Sequence, residues 1–166
     1  FHDIPNTVSK SIESFKGYPI KLLTIHLSGG SSMIKSALVS SKSINAKCIG
    51  VSILTSLNEE ESKEVYNQEI SKTVSSMFSL ANESDIDGVV CSPYELNLAR
   101  DLLQDKIKIT PGIRLSDSNS DDQSRVMNPK EAIDLGATYL VIGRPITSHK
   151  DKASAFEKIY QSIYEE

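Results

Sequence analysis

Short apolar runs recur along the chain: Leu22 to Ile25, Cys48 to Leu54, Gly88 to Cys91, Ile107 to Thr110 and Tyr139 to Gly143. Each is continuous rather than alternating, the pattern of a strand covered on both faces, as in parallel sheets. Helical periods separate them. Val8, Ile12 and Phe15 recur at i, i+4 and i+7, Ile70, Val74 and Met77 repeat that spacing, and Phe156, Ile159, Tyr160 and Ile163 predict a closing helix. Two helix starts are legible, Ser92 with Pro93 and Glu95, and Asn128 with Pro129 and Glu131. Each supplies an N-cap acceptor, a first-turn proline and an acidic third residue. Gly136 is placed to end the second of these helices. The alternation predicts a five-stranded parallel sheet, and by itself leaves open whether the sheet is doubly wound or part of a barrel.

Composition narrows the class. The chain has 166 residues, 39% hydrophobic and 24% charged, which suits one globular domain with a real core. No apolar run approaches the roughly 20 residues of a membrane span, and no basic-then-apolar signal segment opens the chain, so the expected compartment is the cytoplasm, with no membrane partner. A net charge of −4 argues against general nucleic-acid binding, which needs a concentrated basic surface to displace phosphate counterions. Any anion has to be caught locally, and Arg114, Arg125 and Arg144 fall in the last third, beside glycines. Cys48 and Cys91 sit in apolar runs without metal-ligand spacing and read as buried free thiols. His2, His26 and His149 lack an identifiable acid or nucleophile partner in the sequence and read as packing residues.

Candidate chemistry gathers just after the strands, which favours a barrel, because (β/α)8 enzymes place their sites at the carboxyl ends of strands and often hold phosphate after the last two. Gly143 and Arg144 directly follow the last run, where a glycine lets backbone N–H approach an anion and an arginine forks onto two phosphate oxygens. An equally simple reading is a strand-ending turn with an exposed arginine. Thr110 to Arg114 (TPGIR) leads into a long polar stretch, Leu115 to Asp122, and then Gln123; such length predicts either a lid or a plain surface loop. Thr55 stands at a strand end where its hydroxyl could bond a ligand edge, and Asp3, before Pro5, reads locally as a helix-start aspartate.

Four motifs in fixed order add to this: FHDIPNT (Phe1 to Thr7), TPGIR, Asp122 with Gln123, and IGRP (Ile142 to Pro145). Together they resemble the orotidine 5'-phosphate decarboxylase family over essentially the whole chain. The resemblance implies a (β/α)8 TIM barrel, here running from the end of strand 3 to helix 8 without the first two β/α units, with residues 1–166 as one partial barrel domain. It implies conversion of orotidine 5'-monophosphate to UMP and CO2, in de novo pyrimidine biosynthesis, with no cofactor and no metal. In the family a lysine immediately precedes the FHDIPNT phenylalanine and donates the proton; the 166 residues alone are therefore expected to be inactive. Asp3 is implied as the catalytic carboxylate donated across a homodimer, with Ile4 and Thr7 beside it. Thr55, Arg114, Gln123, Gly143 and Arg144 are implied as substrate contacts. Family members often carry a proline and then a glycine after TPGIR, where this chain has Leu115 and serine and aspartate neighbours. Two other readings are a truncated, non-catalytic fragment retaining nucleotide-phosphate binding, and a magnesium-using sugar-phosphate decarboxylase or aldolase of the same superfamily. FHDIPNT and the lack of a visible metal cluster favour the nucleotide enzyme.

Overall fold

In the computed structural model, which describes residues 1–114 and 127–164, the apolar runs pair edge to edge. The strands β1 (Leu22–His26), β2 (Lys47–Val51), β3 (Gly88–Val90), β4 (Ile107–Thr110) and β5 (Tyr139–Leu140) form one parallel sheet in the order β1-β2-β3-β4-β5. A doubly wound sheet reverses its order at a switch point, whereas unbroken progress in chain order is that of a barrel wall. Phe1 extends the arc: its terminal ammonium donates to Thr24 O at 2.7 Å and its carbonyl accepts from His26 N at 3.0 Å. These are the two bonds of a parallel bridge with Ile25 opposite Phe1, so Phe1 holds the place of a further strand beside β1.

Register divides the side chains between two faces. Leu23, Ile25, Cys48 and Val89 belong to the buried core shared with the helices, together with Ile12, Ile34 and Phe78. Leu22, Thr24, His26, Ile49, Val51, Val90, Ile109 and Tyr139 alternate with them onto the other face, the one that lines the interior of a barrel. At Gly88 this close strand packing excludes a side chain, because a Cβ there would collide with the Ile107 carbonyl.

The helices follow local chemistry. Pro5 starts α1 (Pro5–Glu13), which buries Val8 and Ile12 and packs against α2 (Gly30–Ser43). The capped helix α3 (Glu59–Tyr66) has an Asn58 side chain that accepts from Glu60 N and Glu61 N at 2.9 and 3.0 Å, while the Glu61 carboxylate accepts from Asn58 N at 2.9 Å. It buries only Ser62, so no apolar period announced it. Helix α4 (Ile70–Glu83) buries Val74 and Met77 as its period predicts, leaves Ile70 half-buried and buries Phe78 as well. A 3-10 turn at Pro93–Glu95 leads into α5 (Leu96–Leu102), and the Glu95 carboxylate accepts from Ser92 N at 3.0 Å. Asn128 caps α6 (Pro129–Asp134) by accepting from Glu131 N at 2.9 Å, and Gly136 leaves it at φ 102°, the left-handed conformation that glycine tolerates. Two helices, α7 (Arg144–Thr147) and α8 (Lys152–Tyr164), end the fold.

Four expectations are revised. The run Tyr139 to Gly143 pairs only through Leu140, because Gly143 already caps α7, with φ −94° and ψ −102°. The run from Cys48 ends its pairing at Val51, and Phe15 lies beyond the end of α1. On α8, Ala155 and Ile159 are buried, whereas Phe156 is 54% and Tyr160 49% exposed. Those rings, with Tyr139, Ile142 and Ile146, line an open apolar groove of about 440 Å³ beside β5.

Lys108 is a buried charge with an explicit local job. Its ammonium donates to Leu103 O and Gln104 O at 2.9 Å and to Lys106 O at 3.1 Å, closing the turn from α5 into β4. Desolvation by burial lowers its pKa. Among the described residues, no helix is long and apolar enough to cross a membrane.

Candidate functional site

Parallel strands deliver their carboxyl ends to one rim, and the sequence-predicted residues that are described all follow a strand end. Asp3 follows Phe1, Thr55 lies in the turn after β2, Arg114 follows β4, and Gly143 and Arg144 follow β5. Asp3 is exposed, and its Oδ1 accepts from Ile4 N at 2.6 Å at the entry to α1. Ile4 is the N-cap residue of that helix and 66% exposed, and Thr7 in its first turn is exposed as well. Thr55 is half-buried.

After β4 the residues on either side of positions 115–126 bond to each other. Arg114 N donates to Met127 O at 3.0 Å and Met127 N donates to Gly112 O at 3.1 Å, bridging Ile113 to Met127 in parallel. The positions flanking residues 115–126 are thus held side by side. The Arg114 side chain is buried, and its Nη1 donates to Ile113 O at 2.8 Å, so in this arrangement the guanidinium reinforces the stem. Gln123, Arg125 and the stretch Leu115 to Asp122, with the lid expectation attached to it, lie outside the described residues. Gly143 is exposed, and a Cβ built there would meet nothing within 4 Å, so the space over its backbone is open to a ligand. Arg144 is exposed at the first position of α7.

Cys48 and Cys91 are buried free thiols, each with a pKa pushed up to about 12, chiefly by desolvation, which suppresses the reactive thiolate. Among the described residues, no group of three or more His, Cys, Asp or Glu could hold a metal ion.

Two histidines pack against each other. His2 and His26 stack with centroids 5.1 Å apart at an interplanar angle of 26°. Ser28 Oγ lies 2.7 Å from His26 Nδ1 and 3.3 Å from His2 Nε2, and Ser28 N donates to the same His26 Nδ1 at 3.3 Å. The His26 pKa is lowered by burial first, then by His2 and by the terminal ammonium. The signal was present as a histidine ending one strand and another following Phe1, but only the pairing of Phe1 with β1 brings them together.

Comparison with known proteins agrees with the fold. The family described as "Orotidine 5'-phosphate decarboxylase / HUMPS family" matches residues 1–159. A Staphylococcus saprophyticus protein named orotidine 5'-phosphate decarboxylase is 41% identical over 166 residues, covering 97% of this chain and 72% of the relative. An Ehrlichia canis protein of the same name is 43% identical over 164 residues, covering 98% and 72%. The crystal structure of orotidine 5'-phosphate decarboxylase from Lactobacillus acidophilus superimposes with a TM-score of 0.82 at 32% identity, covering 98% of this chain and 72% of that one.

Proposed function

This chain belongs to the orotidine 5'-phosphate decarboxylase / HUMPS family, and from that premise we propose that it is the greater part of an enzyme converting orotidine 5'-monophosphate to UMP and CO2. The observation that carries the reading is the placement of Asp3 after Phe1, Thr55 after β2, Arg114 after β4, and Gly143 and Arg144 after β5, at the carboxyl ends of one parallel arc.

The chemistry follows from where charge develops. The bond from C6 of the pyrimidine to its carboxylate breaks, CO2 leaves, and the electron pair stays on C6 as a carbanion. A lysine at the position preceding Phe1, as the family resemblance gives it, would stand by the reacting carbon, stabilise that pair electrostatically and deliver the proton that makes UMP. Asp3, donated by a second copy of the chain with Ile4 and Thr7, sets a fixed carboxylate near the departing one and holds the ammonium in place. The exposure of Ile4 at this helix entry supports an interface there. Gly143 and Arg144 take the 5'-phosphate, and Thr55 bonds the pyrimidine edge. Binding at the remote phosphate supplies the energy for holding two carboxylates together in the ground state. Arg114 joins the phosphate grip when its guanidinium leaves the Ile113 carbonyl. Gln123 completes the set that the resemblance gives and lies outside the described residues. We place the enzyme in the cytoplasm, in de novo pyrimidine synthesis, as a homodimer with shared sites.

The direct test is decarboxylation by the full-length protein, followed as release of labelled CO2 from carboxyl-labelled orotidine 5'-monophosphate. Release with stoichiometric UMP is expected. No release from folded protein that binds UMP would overturn the catalytic reading and leave a nucleotide-binding one.

A further inference from the structure

We propose that Ser28, acting with His26, is a positioning residue for Asp3: a hydrogen-bond chain running one way, from His2 Nε2–H to Ser28 Oγ–H to His26 Nδ1, locks the segment carrying Asp3 against the end of β1. The inference rests on the reading of Asp3 as part of the decarboxylation site.

The direction of the chain follows from donor arithmetic. Ser28 N–H points at His26 Nδ1 at 3.3 Å, so that nitrogen is an acceptor and carries no proton. Ser28 Oγ, only 2.7 Å from the same nitrogen, therefore donates to it. A hydroxyl has one proton, so the 3.3 Å contact from Ser28 Oγ to His2 Nε2 has one remaining polarity, with His2 donating. Both tautomers are thereby fixed, His26 with its proton on Nε2 and His2 protonated at Nε2.

The packing around the chain agrees with a built clamp. The two rings stack at 5.1 Å, which restricts sideways motion of His2. Gly29 leaves space for the tip of Met33, and His2 Cδ2 lies at ordinary contact distance, 3.4 Å, from where a Cβ would stand. The main chain is pinned on one side of His2 by the Phe1 bridge to β1, and on the other it runs into α1, where Ile4 O accepts from Val8 N at 3.1 Å. Between these points the His2 side chain is the tie from the Asp3 segment to the turn after β1. A carboxylate acting beside an ammonium has to be held within about 0.5 Å of its working position, and this tie limits its drift.

The test compares Ser28→Ala with Ser28→Thr, which keeps the hydroxyl, in the full-length protein. Ser28→Ala is expected to lower kcat by roughly 10- to 100-fold, the scale of an ångström-size misplacement, with KM little changed. Ser28→Thr is expected to restore kcat. Nitrogen NMR of the imidazoles is expected to show both rings protonated at Nε2 in the parent and a changed His2 signature in Ser28→Ala. A Ser28→Ala protein with parental kcat, an impaired Ser28→Thr, or parental imidazole spectra in Ser28→Ala would each refute the role. If the parent protein does not decarboxylate, the functional reading fails separately. Positioning is then decided by the Asp3 carboxyl carbon and Ile4 amide signals, whose displacement by Ser28→Ala supports the clamp and whose constancy refutes it.

Discussion

Phe1 and Ile25 face each other as a parallel bridge pair, with both main-chain bonds made by Phe1, and this pairing sets Asp3 just beyond the end of β1. If Asp3 serves the neighbouring subunit's site, lesions there and at the upstream lysine should complement. Full-length Asp3→Asn and a lysine variant, each inactive alone, are expected to regain activity when mixed, because a heterodimer then collects both lesions in one site and leaves the other intact. Persistent inactivity after verified subunit exchange would show that Asp3 serves its own subunit.

Arg144 and Gly143 begin α7 at an open surface, where a fork of charged donors can reach phosphate. Arg144→Ala is expected to weaken UMP binding by about 1.5 to 3 kcal/mol, the range for a hydrogen bond to a charged group. Calorimetry should find uridine, which lacks the phosphate, nearly indifferent to the change. Equal losses for both ligands would move Arg144 away from the phosphate.

Lys108 offers a prediction about stability alone. Lys108→Met fills similar space but leaves the Leu103, Gln104 and Lys106 carbonyls without their shared donor. Hydrogen bonds from a charged donor are worth about 1.5 to 3 kcal/mol, so the urea midpoint should fall by a corresponding amount. An unchanged midpoint would mean that water replaces the ammonium without loss.

The stacked histidines give stability a pH dependence of definite sign. Burial first and then His2 hold the His26 pKa below its ordinary 6.5, whereas the unfolded chain takes up the proton near that value. Between the two values the unfolded state binds more protons, so stability rises with pH there. This contribution is intact above 6.5 and is lost as pH falls below 6.5 through the folded value. Urea titrations from about pH 7.5 down to pH 5 should show the loss, and His26→Gln should remove that part of the slope. A slope identical in the variant would assign the dependence to other groups.

Much of this was legible because strand runs and caps are local signals. The runs at Leu22, Ile107 and Gly88, and the caps at Asn128 and Ser92, depend on residues within a few positions of one another. Sheet order was not local, and it took the pairing of β1 through β5 in sequence to separate a barrel wall from a doubly wound sheet. Helix α3 escaped notice because it is specified by the Asn58 and Glu61 cap, with almost no apolar face. At the site, the motifs gave Asp3, Arg114, Gly143 and Arg144, but not the inward fold of the Arg114 guanidinium onto Ile113 O. The Ser28 link was illegible for a physical reason: it joins residues 26 positions apart whose side chains meet only after the first residue docks on β1.

The groove beside β5, with Phe156, Tyr160 and Tyr164 displayed along α8, has a consequence for how this stretch of chain behaves by itself. One flank of the arc offers the outer edge of β5, which pairs with no further strand among the described residues, and an apolar trough, and the opposite flank offers Phe1 and Leu22, so the two ends are unlike surfaces. Unlike ends permit head-to-tail addition, which closes into a ring when the geometry allows and otherwise grows without limit. Isolated at high concentration, the 166 residues should therefore scatter light and lengthen into fibrous polymers, with copies of the chain stacking where the rest of a barrel wall would stand.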